Sequence, residues 1–163
     1  MSIFAAVFAP NGKTWRGTEV DLGGADVIDD VTDLMLDFSS ELGSDTALLL
    51  VEADDEWFAL VRAGDDGDEP RVYLSDARAV HDHPLASVLS EAGGLGAPQP
   101  SESAGARPNP VPDGDGDLLT DLGTTEDELR SLSVGGGVLP GDVLALVAER
   151  AGFGELLDAM RTV

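Results

Sequence analysis

Three clusters in this chain have residue types that could do chemistry. Asp54, Asp55 and Glu56 stand together immediately before Trp57. Adjacent carboxylates can share general acid and general base work when burial raises the pKa of one of them. His81-Asp82-His83 can set two imidazoles on one side of an extended segment, as a transition metal would need. Asp113-Gly-Asp115-Gly-Asp117 spaces three carboxylates like the opening of a calcium loop.

Each cluster also has a plainer reading. The acidic triplet falls at the predicted tip of a hairpin, where carboxylates are normally solvated. Its claim to function rests on loops being frequent carriers of function. The two histidines have no evident third or fourth ligand and read as an exposed turn before Pro84. A calcium loop of the EF-hand type needs Gly at its sixth position and Glu at its twelfth. Those positions hold Leu118 and Thr124, so the aspartates read as the acidic end of a linker.

Other catalytic constellations are missing from the sequence. There is no cysteine, which excludes disulfides, thiolate nucleophiles and Cys-ligated zinc. The glycine clusters at 93–96 and 135–137 are not followed by the Lys of a phosphate loop, and no GxSxG elbow occurs. The single lysine, Lys13, lies near a turn. The residues point to no catalytic group, no metal and no cofactor. Trp15 and Trp57 are large anchors in a chain with only 5% aromatics. Exposed, they would be interface hot spots. Buried, they would supply the aromatic bulk that small sheet domains need, and that reading is favoured. The candidate interface residues are Trp15, Asp54, Asp55, Glu56 and Trp57.

The elements that must position these residues follow from periodicity. Ile3 to Ala9 is an apolar run with β-branched and aromatic members, and Pro10-Asn11-Gly12 is a hairpin turn signal. Trp15 to Leu22 then reads as a second strand, with Trp15, Gly17 and Glu19 on one face and Arg16, Thr18 and Val20 on the other. Asp26 to Leu42 reads as a helix, its stripe being Val27, Val31, Leu34, Met35, Phe38 and Leu42. Thr46 to Glu52 (TALLLVE) is continuously apolar, as in a central strand covered on both faces. Trp57 to Arg62 and Arg71 to Leu74 add two more strands. Ser75 or Asp76 caps a helical turn, and Pro84 to Glu91 is a short helix. The expected class is α+β: a mainly antiparallel sheet of about five strands, with one long helix and helices on one face.

Composition then divides the chain. Residues 1–91 form the sheet domain. Residues 92–117 hold five of the nine prolines and show no periodicity, as expected of a disordered linker. Residues 118–163 read as three short helices. A capping box from Thr125 to Glu128 opens the first, Pro140 opens the second, and Leu156, Leu157 and Met160 mark the third. A unit this small holds a marginal core alone, so docking on the sheet or on a partner is expected.

The formal charge is −23, from 32 acidic and nine basic residues. None of the three segments is basic. Lys and Arg are what bind a phosphate backbone, so direct contact with nucleic acid, or attraction to an anionic membrane, is not expected. A basic protein surface suits this field, although a halophilic source would also explain it. The short apolar run near the N-terminus lacks the basic flank of a signal peptide and the length of a membrane span. A cytoplasmic location is expected.

The blocks SIFAAVFAPNGKTWRGTEVDL, DTALLLVEADDEWFALVR, RVYLSDARAV and DLLTDLGTTEDELRSL…LPGDVLALVAERAGFGELLDAM occur in that order. Together they resemble the actinobacterial family of tRNA adenosine deaminase-associated proteins. The resemblance implies association in the genome with the tRNA adenosine deaminase, and it carries over no demonstrated activity, fold or functional residue. A zinc deaminase needs the pattern H-x-E…P-C-x-x-C. This chain has no Cys and no H-x-E, so it is not itself the deaminase. The expectation is an acidic accessory protein whose partner is the tRNA adenosine deaminase. The rival readings are an enzyme with an acidic site near Asp54–Glu56, and a stand-alone acidic fold without a stable partner.

Overall fold

The computed structural model describes residues 3–22, 27–44, 46–53, 57–64, 70–76, 84–92, 113–114, 116–134 and 139–161. Its centre is an antiparallel sheet in the order β2-β1-β3-β4-β5-β6. The strands are β1 (Ile3–Asn11), β2 (Thr14–Glu19), β3 (Thr46–Ala53), β4 (Trp57–Gly64), β5 (Arg71–Leu74) and the two-residue β6 (Asp113–Gly114). The α+β class and the antiparallel sheet are as the sequence implies.

The central strand decides the architecture. β3 pairs with β1 on one side and β4 on the other. Seven of its eight residues are buried, so both faces must be covered. On one face Val7, Leu49, Val51, Trp57, Val61 and Leu74 meet α1 (Ile28–Glu41) and α2 (Pro84–Ala92). On the other, Phe8, Leu48, Leu50, Phe58, Leu60 and Tyr73 meet the C-terminal helices. Helices therefore cover both faces: α1 and α2 share one, as expected for the first 91 residues, and the C-terminal helices dock on the other. The physical reason is the unbroken TALLLV run: two α-helices on one side would leave Leu48 and Leu50 facing water.

α1 begins at Ile28, and Asp29 and Asp30 in its first turn suit the positive end of the helix dipole. Val31 and Met35 are fully buried. Leu36 and Phe38 pack beside them, while Val27 and Leu34 are exposed. The buried stripe is thus narrower than the sequence pattern suggests and rotated away from Leu34. The helix ends with the Ser44 N–H donating to the Ser39 carbonyl and the Gly43 N–H to that of Ser40. The helical turn that Ser75 or Asp76 was expected to cap lies outside the described residues. The Ser75 hydroxyl accepts the Phe58 N–H at 2.8 Å, and the Ser75 N–H donates to the Phe58 carbonyl, which closes the β4–β5 ladder.

The second face is covered by a 3-10 helix (Gly116–Leu122), α3 (Glu126–Val134), α4 (Pro140–Ala151) and α5 (Gly154–Arg161). The 3-10 helix was not expected; its Leu118 and Leu119 are fully buried. Thr125 accepts the Glu128 N–H, as the capping box predicts. Polar contacts fix this layer to the sheet. Arg62 on β4 makes a two-pronged bond to Asp121 at 2.5 and 2.8 Å and donates to the Leu118 carbonyl. The Tyr73 hydroxyl donates to Ser133 Oγ at 2.6 Å, which donates onward to the Leu129 carbonyl. Burial pushes the Tyr73 hydroxyl's pKa up. Arg150 on α4 pairs with Glu128 on α3 and, with Thr125, holds that carboxyl below its ordinary range.

Hydrogen bonding from the Arg62 guanidinium likewise holds Asp121 below its usual value of 3.8. A carboxyl lowered in the folded state stabilises above its unfolded value, and that contribution is lost as pH falls through the folded value. Asp121→Asn should therefore cost about 0.5 kcal/mol at pH 6, a small figure because the Asp121 side chain is 62% exposed. Urea unfolding at pH 6 and at pH 3 should show the gap closing at the lower pH. A gap that stays constant would mean the ion pair does not form.

Candidate functional site

Trp15 leads to a cleft on the surface. The β1–β2 hairpin turns through Gly12 and Lys13, between the paired residues Asn11 and Thr14. Trp15 follows on the face that meets the C-terminal helices, opposite Pro10. α4 ends at Gly152, whose φ of 107° lies in the left-handed region that glycine enters without strain. The N–H groups of Gly152 and Phe153 both donate to the Ala148 carbonyl at 2.9 Å, which reverses the chain sharply. That reversal drives Phe153 inward. Its ring stacks on Phe8 with centroids 4.3 Å apart, and Trp15 packs against it at 4.8 Å and 49°. Phe153 is only 1% exposed, whereas Trp15 stays half-buried.

The indole therefore forms one wall of a cleft of about 820 Å³ between the hairpin and the α4–α5 turn. Lys13 enters from the hairpin, Glu149 from α4, and Glu155 and Asp158 from α5. Three carboxylates thus face one ammonium around an aromatic wall. No nucleophile is paired with a base here. Thr14 is the hydroxyl of the hairpin rim, and it donates to the Asn11 carbonyl. Among the described residues no group of three His, Cys, Asp or Glu side chains could hold a metal ion. The arrangement has the chemistry to stack a flat cation and to accept its hydrogen bonds.

The other candidates fall elsewhere. Trp57 is 1% exposed in the core beneath α1 and α2, on the opposite sheet face from Trp15, so the structure does not bring the two tryptophans together. Its side chain packs in the core cluster, the favoured reading for it. Asp54, Asp55 and Glu56 lie outside the described residues, as do His81, His83 and Asp115. Asp113 and Gly114 pair with Leu74 and Tyr73 as β6, and Asp117 opens the 3-10 helix. Sequence reasoning missed Phe153, Glu149 and Glu155. The available signal was Gly152-Phe153-Gly154, an aromatic residue between two glycines.

An antiparallel sheet lies between two helical layers, with an acidic, aromatic-walled cleft at one edge. The chain belongs to the Rv3753c-like tRNA adenosine deaminase-associated proteins, whose family pattern matches residues 3–154. The family is described as associated with the deaminase, not as a deaminase. The match runs through the sheet domain and most of the C-terminal layer that the structure packs against it. No curated protein and no solved structure matches the chain. No helix among the described residues is long and apolar enough to cross a membrane.

Proposed function

We propose that this protein is a non-catalytic accessory protein of the cytoplasm that binds the tRNA adenosine deaminase through protein–protein contacts, without touching nucleic acid itself. The observation that carries the reading is membership of the deaminase-associated family in a chain with a formal charge of −23. An enzyme that holds tRNA must present Lys and Arg to phosphates. An acidic protein complements that surface, and complementary fields speed encounter and select partners. Trp15 and the neighbouring carboxylates supply a contact point. Asp54, Asp55 and Glu56 are proposed as a second acidic contact, with Trp57, buried at the start of β4, as structural support.

If the protein occupies the tRNA-binding face of the deaminase, the two ligands compete. In a gel-shift titration of the deaminase with its tRNA, adding this protein should raise the apparent Kd for tRNA about tenfold at low salt, and the effect should fade as salt is raised. An unchanged tRNA affinity in the presence of a demonstrated complex would place the contact on another face. An unchanged affinity with no complex would remove the proposal.

A further inference from the structure

We infer that the cleft beside Trp15 is an arginine-accepting pocket, which takes the guanidinium of a basic protein partner against the indole and between the carboxylates of Glu149 and Glu155. This deepens the accessory reading, and it rests on that reading for the identity of the partner.

Trp15 is held by Phe153, which is itself stacked on Phe8, so the indole is fixed before any ligand arrives. A fixed wall avoids the ordering cost that weakens flexible sites. Trp is the best aromatic partner for a cation, and guanidinium can lie flat on it while its edge donates hydrogen bonds. Glu149 and Glu155 provide acceptors from two different helices, brought to one rim by the turn at Gly152. Both are exposed, and among the described residues no ion pair occupies either. By contrast, Arg62, Arg130 and Arg150 are each tied to a carboxylate of their own.

The volume of about 820 Å³ accommodates a long side chain and the backbone flanking it. The charge excludes other occupants of similar size. The Glu149 and Glu155 carboxylates, set against the single Lys13 ammonium, repel a phosphate or a carboxylate ligand, and an uncharged aliphatic group would strip water from them without return. Lysine would meet the carboxylates but is more strongly hydrated and cannot stack as a plane. Lys13 is the like charge at the rim, so removing it should favour a cationic ligand.

The test uses Trp15 as its own reporter, because Trp57 is 1% exposed and out of reach. The full-length protein is titrated at moderate salt with an acetylated, amidated tetra-arginine peptide and with the tetra-lysine equivalent, following tryptophan emission. The arginine peptide should change the emission and bind about threefold or more tightly than the lysine peptide. The double variant Glu149→Gln/Glu155→Gln should weaken it about fivefold or more. Asp29→Asn/Asp33→Asn removes the same charge from α1, on the other face of the molecule, and should change Kd by less than about twofold. Lys13→Ala should tighten binding about twofold.

Equal weakening by the two double variants would mean that the peptide senses only net charge, and the pocket would be refuted. So would equal affinity for lysine and arginine, or binding without any change in Trp15 emission. Because all these substitutions are at exposed positions, the outcome does not depend on a folding defect. The pocket and the accessory reading fail separately. Peptide binding as expected, with no deaminase complex, refutes the partner and keeps the pocket. A deaminase complex unaffected by Glu149→Gln/Glu155→Gln, with no specific peptide binding, refutes the pocket and keeps the partner.

Discussion

Phe153→Ala is expected to destabilise the protein by about 3–5 kcal/mol. The ring is 1% exposed and joins three elements: it stacks on Phe8 of β1, supports Trp15 of β2 and starts α5 from the end of α4. Truncation removes the transfer energy of a large ring and leaves a cavity that the neighbours cannot readily fill. Phe8 is held in the β1 ladder, and Gly152 has no side chain to move in. Urea unfolding reads the loss as a lower midpoint with an unchanged slope. The same variant should release the indole, so its emission should move to longer wavelength below the transition. A loss under about 1 kcal/mol would mean the aromatic stack contributes little and the cleft lacks a fixed wall.

Gly17→Ala should also destabilise, by about 1–3 kcal/mol, although adding a methyl group to a strand glycine ordinarily helps. Gly17 pairs with Phe8 across the β1–β2 ladder. A Cβ at Gly17 would stand 2.5 Å from Phe8 Cδ1, 2.6 Å from Cε1 and 2.9 Å from the terminal methyl of Met160. The methionine can swing aside. The Phe8 ring cannot, because it is fully buried beneath Phe153. The aromatic ring covers the glycine, so there is no room for a side chain. Relief would shift β2 outward and displace Trp15 two residues away. Thermal unfolding should show a lower midpoint for Gly17→Ala. A raised midpoint would mean that the ring has room to move.

What the sequence could reveal followed from how local each signal is. The hairpin after β1, the α1 stripe around Val31 and Met35, and the capping residue Thr125 all depend on neighbours within a few positions, and each is where the pattern puts it. The TALLLV run also reported a non-local fact, that both faces of β3 are covered, but it could not say by what. The answer required Leu144, Val147 and Leu157 to meet Leu48 and Leu50 across about a hundred residues of chain, which no periodicity records. The 3-10 helix escaped because its period differs from that of an α-helix and its content is only one short apolar pair.

The site was legible in one residue only. Trp15 could be singled out because large aromatics are scarce here, but its two roles, wall and core, look identical in sequence. Trp57 took the other role on the other face. Phe153, Glu149 and Glu155 became partners of Trp15 through the reversal at Gly152, a conformation that sequence suggests but does not aim.

The measurement that bears most directly on the account is size-exclusion chromatography with light scattering, on this protein mixed with its cognate tRNA adenosine deaminase at low and moderate salt. The account predicts one co-eluting complex of defined mass at low salt that dissociates partly as salt is raised. Separate elution under both conditions would contradict it, and association with the deaminase would then not be a stable physical contact of this chain.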